Sequence, residues 1–211
     1  CHTNGDVYAG EWRQSVASGF GTYESGGKTT YVGTFQDYLQ GGHGIEIGPD
    51  GSEYVGEFLL GKKHGVGVYT WLDGSKYEGQ WHDNQIDGHG KYIGADGRTF
   101  SGRWKASMMD GCGKYNWPDG REFRGQYLND QKHGFGCFVW PDGRRYEGYW
   151  ESGRQHGLGR LHSDAGVTRL AQFENGERRA WQGEEIEQTE AVEGGRRNDG
   201  RVRQVRFSTQ R

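Results

Sequence analysis

The sequence contains few of the aliphatic residues from which most globular cores are built. Leu, Ile, Val and Phe make up about 16% of the chain, which lies below the usual range and alone would predict disorder. Two values contradict disorder, because the net charge is only −3 and aromatic residues reach 14%. Only 3 prolines are present, which excludes a collagen-like helix. The 40 glycines must therefore serve another regular geometry, one stabilised by aromatic rings.

Other absences narrow the class of protein further. No apolar run approaches the roughly 18 residues of a membrane-spanning helix, and no charged and then apolar leader is visible. The cysteines, Cys1, Cys112 and Cys137, are an odd and sparse set, which favours a reducing compartment over a disulfide framework. A pI near 6.3 argues against nucleic-acid binding by the whole chain. Because no initiator methionine is present, we expect the chain to be a fragment.

An internal repeat of 23 residues organises most of the chain. Without any insertion, seven units open on an aromatic residue, namely Tyr8, Tyr31, Tyr54, Tyr77, Phe100, Phe123 and Tyr146. Each unit has glycine two residues later and a second aromatic residue two residues after that, namely Trp12, Phe35, Phe58, Trp81, Trp104, Tyr127 and Trp150. A Gly-x-Gly pair follows in every unit, for example at Gly88 and Gly90. Seven units in one register predict a repeat array.

The consensus Tyr-x-Gly-x-Trp, then His-Gly-x-Gly-x-Tyr and Asp-Gly, resembles the MORN repeat (membrane occupation and recognition nexus) family. The best match runs from Tyr77 to Tyr92, whereas Lys28 and Glu46 depart from the pattern. We divide the chain into four parts. They are the end of a truncated preceding repeat at 1–4, seven repeats at 5–165, a degenerate capping half-repeat at 166–183 and a charged tail or linker at 184–211.

The spacing within each unit predicts one β-hairpin. Aromatic, glycine and aromatic residues at alternate positions have the period of a strand and place their side chains on one face. Gly-x-Gly-x-Tyr has the same period on the next strand, and Pro-Asp-Gly or Asp-Gly turns connect the units. The predicted fold is all-β, an elongated single-layer antiparallel meander of seven hairpins. In it, the rings of one strand lie over the glycines of its neighbour.

A single sheet has no second layer to cover its aromatic face, so ring area is expected to remain accessible as a groove. We predict that this groove holds a segment of a protein partner, with an amphipathic helix as one candidate. Core packing is the alternative role for the rings. The predicted lining consists of Tyr8, Trp12, Tyr31, Phe35, Tyr54, Phe58, Tyr77, Trp81, Phe100, Trp104, Phe123, Tyr127, Tyr146 and Trp150.

The opposite face is mostly polar but carries two apolar islands, around Val66 in the third unit and around Phe135 in the sixth. The islands are either ordinary strand residues on a solvated face or a contact patch. A contact patch would serve self-association, giving a homodimer, or another protein.

No catalytic constellation is evident, so we predict a non-enzymatic protein without a cofactor or metal. His64, His133 and His156 recur before Gly-x-Gly, but recurrence at one repeat position favours a shared loop role over metal binding. The resemblance to MORN arrays implies an interaction module in a cytoskeletal, ciliary or membrane-associated assembly, in the cytoplasm or peripheral to a membrane. It also leaves open a regulatory domain beside a lipid kinase or methyltransferase domain.

The C-terminal tail differs from the repeats in charge. Residues 184–193 contain five Glu and no basic residue, and Glu184–Glu187 is a weak helix candidate. Residues 194–211 are basic, which makes anionic phospholipid binding the second hypothesis and a solvated linker the alternative. No nucleic-acid partner is expected, because aromatic residues do not interleave with these arginines. The candidate contacts for lipid or an acidic partner are Arg196, Arg197, Arg201, Arg203 and Arg206.

Overall fold

The structure, a computed structural model, describes residues 5–26 and 29–187, and its strands form one sheet. Each strand pairs antiparallel with the next strand in the chain, so the sheet is a 16-stranded open meander and the predicted single-layer fold is confirmed. The strands are β1 (Val7–Arg13), β2 (Val16–Ser25), β3 (Thr29–Gln36), β4 (Leu39–Ile47), β5 (Glu53–Leu59), β6 (Lys62–Thr70), β7 (Lys76–His82), β8 (Gln85–Ile93), β9 (Thr99–Lys105), β10 (Met108–Asn116), β11 (Glu122–Leu128), β12 (Gln131–Val139), β13 (Arg145–Glu151), β14 (Arg154–His162), β15 (Val167–Glu174) and β16 (Glu177–Glu187).

The hairpin of β15 and β16 lies beyond the seven predicted units. Its ladder pairs Ala171 with Trp181 and continues to Val167 and Glu187. Phe173, at the place of the second aromatic residue, is 4% exposed and completes the core at this end. Because β16 extends to Glu187, the helix that the sequence indicated at Glu184–Glu187 is wrong. Backbone pairing with β15 outweighs the weak local preference of the glutamates.

Each hairpin closes with a two-residue turn in which both residues have positive φ. Between β7 and β8 these are Asp83 (φ 48°) and Asn84 (φ 69°), which is type I′ geometry. The turns between units differ, as the Pro-Asp-Gly turn after β12 shows. There Gly143 N donates to Trp140 O at 3.0 Å, and Asp142 Oδ1 accepts from Arg144 N at 3.1 Å. The two turn types together fix the register of successive strands.

The first aromatic ring of each unit lies over paired glycines, as the sequence predicts. Gly56 and Gly67 are directly opposite each other in the β5–β6 ladder, and the Tyr54 ring covers both. A Cβ added to Gly67 would lie 2.5 Å from Tyr54 Cε2, closer than real Cβ atoms approach. Glycine therefore leaves the space that allows the ring to be completely buried in a single-layer sheet.

The first glycine of each Gly-x-Gly has a different role from the one predicted. Gly134 has φ 59° and lies in a bulge, since the β11–β12 register shifts between Gly125 and Gln126. Gln126 Oε1 accepts a hydrogen bond from Phe135 N at 3.0 Å within this bulge. Positive φ, rather than cover by a ring, is what favours glycine at this position.

Edge-to-face ring contacts join the units into one core. Tyr54, for example, lies 5.1 Å from both Phe58 of its own unit and Trp81 of the next, measured between ring centroids. Such contacts run unbroken from Trp12 to Phe173 at 4.9 to 5.5 Å. We call this row the ring zipper, formed by the fourteen residues of the predicted groove together with Phe173.

The polar atoms of the ring zipper are bonded to the backbone in most units. Tyr54 Oη donates to Glu57 O at 3.0 Å, and Trp81 Nε1 donates to Gly67 O at 3.3 Å. Tyr127 is an exception, because its buried hydroxyl has no hydrogen-bond partner among the described residues. It occupies a position where four other units have tryptophan, and in three of these the indole N–H donates a hydrogen bond to the neighbouring strand.

Candidate binding surfaces

The predicted groove residues form the core of the sheet rather than its accessible surface. Twelve of the fourteen are 8% exposed or less, so the expectation that their rings remain accessible is wrong for those twelve. The physical reason is the edge-to-face packing of the ring zipper, which buries ring area without a second layer. Only Tyr8, which is half-buried, and Trp12, which is 56% exposed, retain accessible surface. A direct role of the fourteen residues in partner binding stays a prediction.

A second row of aromatic side chains packs against the ring zipper and is only partly buried. We call it the outer aromatic tier and define it as Tyr69, Trp71, Tyr92, Tyr115, Trp117 and Trp140. Neighbouring members touch, for example Tyr115 and Trp117 at a centroid distance of 4.4 Å. The three tryptophans are absent from the predicted lining, although a signal marks them. Each stands two residues after the aromatic that follows Gly-x-Gly and two before the Asp of the connecting turn.

Between the third and fourth units, the outer aromatic tier borders a cleft of about 370 Å³. Its lining combines Tyr69, Trp71 and Tyr92 of the tier with Trp81 and Trp104 of the ring zipper. The remaining lining residues, Ile86 and Ser107, are uncharged, so none of the described residues that line the cleft carries a charge. Its shape and chemistry suit an apolar side chain of a bound segment.

Toward the C-terminal end, the same face becomes basic. A cavity of about 610 Å³ there is lined by Trp140 and Trp181 together with Arg144, Arg169 and Arg178, and its described lining contains no Asp or Glu. The Cζ atoms of Arg169 and Arg178 each lie 4.1 Å from the Trp181 ring centroid. The aromatic face therefore changes along the sheet from a neutral cleft to an aromatic and cationic one.

The opposite face carries the two apolar islands that the sequence indicates. Val55 and Val66 are 42% and 58% exposed in the first island, and Phe135 is 54% exposed in the second. Phe20 extends the first island, over which runs a groove of about 580 Å³ floored by the glycine pairs. Self-association through these islands stays a prediction.

His64, the recurring histidine of the third unit, lies close to His82 and Asp83, two residues that the sequence motif does not link to it. His64, His82 and Asp83 each offer one ligand atom, and these atoms lie within 4.8 Å of one another. Asp83 is already engaged, because Lys62 Nζ lies 2.9 Å from its Oδ2, and this hydrogen bond lowers the pKa of the carboxyl group. A cation would have to displace that ion pair, and we assign no metal to the cluster.

The five arginines predicted to contact lipid, Arg196, Arg197, Arg201, Arg203 and Arg206, lie outside the described residues. Within residues 5–26 and 29–187, no helix is long and apolar enough to cross a membrane.

Comparison with family models identifies the repeat. The MORN repeat model matches residues 8–29, 31–53, 54–76, 77–97, 100–120, 123–144 and 146–168. The chain belongs to the MORN repeat family. The seven matches coincide with the seven predicted units, and membership in the MORN family indicates a module for interaction with proteins or membranes.

Comparisons with individual proteins add little to the MORN assignment. No curated protein matches the chain. Among solved structures, the chain is similar to the TCP domain of Drosophila melanogaster SAS-4 (dCPAP), solved in complex with a proline-rich motif of Ana2 (dSTIL). The sequence identity is 14% and the TM-score is 0.38, and the match covers 67% of this chain and 85% of that one. A point mutant of the TCP10 domain of Danio rerio CPAP is similar at 20% identity and a TM-score of 0.36, covering 78% and 83%.

Proposed function

We propose that this MORN array is a non-enzymatic scaffold that holds a segment of a partner protein on its aromatic face, within a cytoskeletal, ciliary or membrane-associated assembly. The outer aromatic tier is the observation that supports the proposal. Its tyrosines and tryptophans are partly exposed and lie on one face of the sheet, at every second strand, on the strand or directly after its end. Rings of this kind supply most of the binding energy in many protein interfaces.

The outer aromatic tier is held in place before any partner binds. Tyr69 Oη donates to Ser52 Oγ at 2.8 Å, and Ser52 Oγ in turn donates to Asp50 Oδ1 at 2.7 Å. Ser52 is 4% exposed, and the Tyr69 ring packs on Trp71 at a centroid distance of 4.8 Å. A surface whose rotamers are already fixed loses little conformational entropy on binding, which favours affinity.

Peptides selected from a display library on the purified chain provide a ligand for the test. Trp71→Ala removes a tier ring and should weaken binding about tenfold or more, because a truncated aromatic anchor typically costs at least about 1.4 kcal/mol. Val66→Ser is the matched control, since Val66 is exposed on the opposite face. Circular dichroism checks that both variants remain folded. Unchanged affinity in Trp71→Ala, Trp117→Ala and Trp140→Ala, with loss of binding in Val66→Ser, would contradict the proposal.

Binding of anionic phospholipid by residues 194–211 is a second candidate function, which their excess of arginine favours. Each basic residue near such a surface contributes roughly 1 kcal/mol, and salt screens the attraction. Flotation with phosphatidylserine vesicles should therefore be salt-sensitive and should be lost when these residues are deleted. Flotation that survives the deletion would exclude the basic segment as the lipid contact.

A further inference from the structure

Lys132 on β12 places its ammonium group among four aromatic rings. Its Nζ lies 4.8 Å from the ring centroid of Phe138, 4.9 Å from that of Trp150, and 5.2 Å from those of both Trp117 and Phe123. The side chain is partly exposed, and no carboxylate of the described residues forms an ion pair with it. Ring faces attract a cation but leave its charge uncompensated.

The repeat supplies an internal comparison for this lysine. Lys63 occupies the same position three units earlier and also lies over aromatic rings, with Nζ 5.4 Å from the centroid of Tyr54. Lys63 does have an anionic partner, because Glu46 Oε1 lies 2.5 Å from its Nζ. Three units after Glu46 the chain has Tyr115 instead. The fold thus accommodates a carboxylate beside an ammonium at this position, and near Lys132 the described residues provide none.

The nearby charges on this part of the aromatic face are cationic or already paired. The Arg121 guanidinium lies 5.3 Å from the Trp117 ring, which Lys132 also approaches, and pairs with Asp119 at 2.7 Å. Arg144 similarly pairs with Asp142 at 2.7 Å. Beyond them lies the arginine-lined cavity of about 610 Å³. Because the aspartates neutralise Arg121 and Arg144, Lys132 supplies the positive charge among these apolar rings, and this combination is complementary to a segment carrying both apolar and acidic side chains.

We propose that the aromatic face over the fifth to seventh units binds an acidic segment of a partner protein, one carboxylate of which pairs with Lys132 Nζ as Glu46 pairs with Lys63. This inference rests on the proposed function and specifies the chemistry of the partner. Rings of the outer aromatic tier contact the apolar side chains of the segment, and Lys132 selects its charge.

The ionisation of Lys132 gives the binding a pH dependence. Burial, with a smaller effect of Arg121, lowers the pKa of Lys132 to about 8. A carboxylate favours the charged form and raises that pKa in the complex. Affinity should therefore be full below pH 8 and fall as the pH rises above it, by at most about tenfold per pH unit for one proton.

The test uses a short fluorescein-labelled peptide in which Glu alternates with Leu, and the same peptide with Gln in place of Glu. Fluorescence anisotropy with the full chain should show about tenfold tighter binding of the Glu peptide. Lys132→Met should remove this difference while the variant stays folded, because Met109 occupies the same repeat position in the fifth unit. Lys91→Met, at an exposed lysine on the opposite face, is the control for net charge and should retain the difference.

A second variant adds an internal competitor. Tyr115→Glu places a carboxylate where Glu46 stands relative to Lys63, so it should occupy Lys132 and weaken binding of the Glu peptide about tenfold or more relative to Tyr115→Gln, which removes the same ring without adding a charge. Equal binding of both peptides by the wild-type chain, or unchanged selectivity in Lys132→Met, would overturn the inference. Lys132-dependent binding of phosphatidylserine vesicles without binding of the Glu peptide would also overturn it. If library-selected peptides still depend on Trp71, only this inference fails and the scaffold proposal stands.

Discussion

Replacing Gly67 with alanine tests why the repeat requires glycine beneath its rings. The added Cβ would lie 2.5 Å from both Cε2 and Cζ of Tyr54, whereas ordinary contacts begin at 3.4 Å. The Tyr54 ring is completely buried and lies 5.1 Å from the centroids of both Phe58 and Trp81. Relief of the clash therefore needs a displacement of about 0.9 Å by a ring that two units hold in place.

The expected loss follows from two opposing contributions. Overpacking of a close-packed core costs about 1–3 kcal/mol, whereas alanine gains about 0.4–1 kcal/mol over glycine through the unfolded chain. Because the clash is with Cε2, Cζ and the still nearer Oη of a buried tyrosine, we expect Gly67→Ala to lower the free energy of unfolding by about 2 kcal/mol. Gly41→Ala is the matched control, since its Cβ would meet nothing closer than Gln36 Cβ at 3.7 Å, and it should be neutral or slightly stabilising.

Urea unfolding followed by tryptophan fluorescence and circular dichroism measures both variants. The double variant of Gly67→Ala with Tyr54→Leu completes a cycle, in which alanine should be nearly neutral once the ring is absent. Equal free energies for Gly67→Ala and Gly41→Ala, or strict additivity in the cycle, would refute the role assigned to the ring.

Three further predictions concern the core. Tyr127→Phe should stabilise the chain by about 1 kcal/mol, because it removes a buried hydroxyl that has no partner among the described residues. Tyr54→Phe should destabilise the chain by about 1 kcal/mol, because it removes the hydrogen bond to Glu57 O. Urea unfolding measures both variants. Trp81→Ala should cost about 3–5 kcal/mol because Trp81 is 7% exposed, so a thermal melt should show larger destabilisation than for Trp71→Ala. Burial raises the pKa of Tyr31 and Tyr77 to about 12. The free energy of unfolding should therefore fall between pH 10 and 12, by about 1.4 kcal/mol per pH unit for each such tyrosine. Alkaline titration followed by circular dichroism checks this fall.

Much of the fold was predictable because the period of the repeat matches the period of a strand. Tyr54, Gly56 and Phe58 alternate, so their side chains share a face, and the opposing Gly67 makes room for the ring. The role of Gly134 was not predictable from spacing, since a bulge shifts the register without changing the sequence period. For the last unit the sequence predicted only a degenerate capping half-repeat at 166–183, whereas β15 and β16 form a full hairpin, because Ala171 and Phe173 preserve the packing without the family's signature residues.

The candidate surface was harder to predict than the fold. Sequence alternation places a side chain on a face but does not determine how much of it neighbouring rings cover. Tyr31 and Trp150 were therefore predicted to line an accessible groove, although contacts with adjacent units bury them. Trp117 was not predicted as a surface residue for binding because it lies beside a connecting turn, outside the main motif. The rings around Lys132 come from its own strand β12, from the neighbouring strands β11 and β13, and from the turn after β10, which only the fold brings together.

Which face of the sheet binds the partner is the central question, and oxidative footprinting by mass spectrometry answers it most directly. The chain is labelled with hydroxyl radicals alone and in complex with a selected peptide. We expect protection of Trp71, Trp117 and Trp140 of the outer aromatic tier, with unchanged labelling of Phe20 and Phe135. Protection of Phe20 or Phe135 with unchanged labelling of the three tryptophans would contradict it.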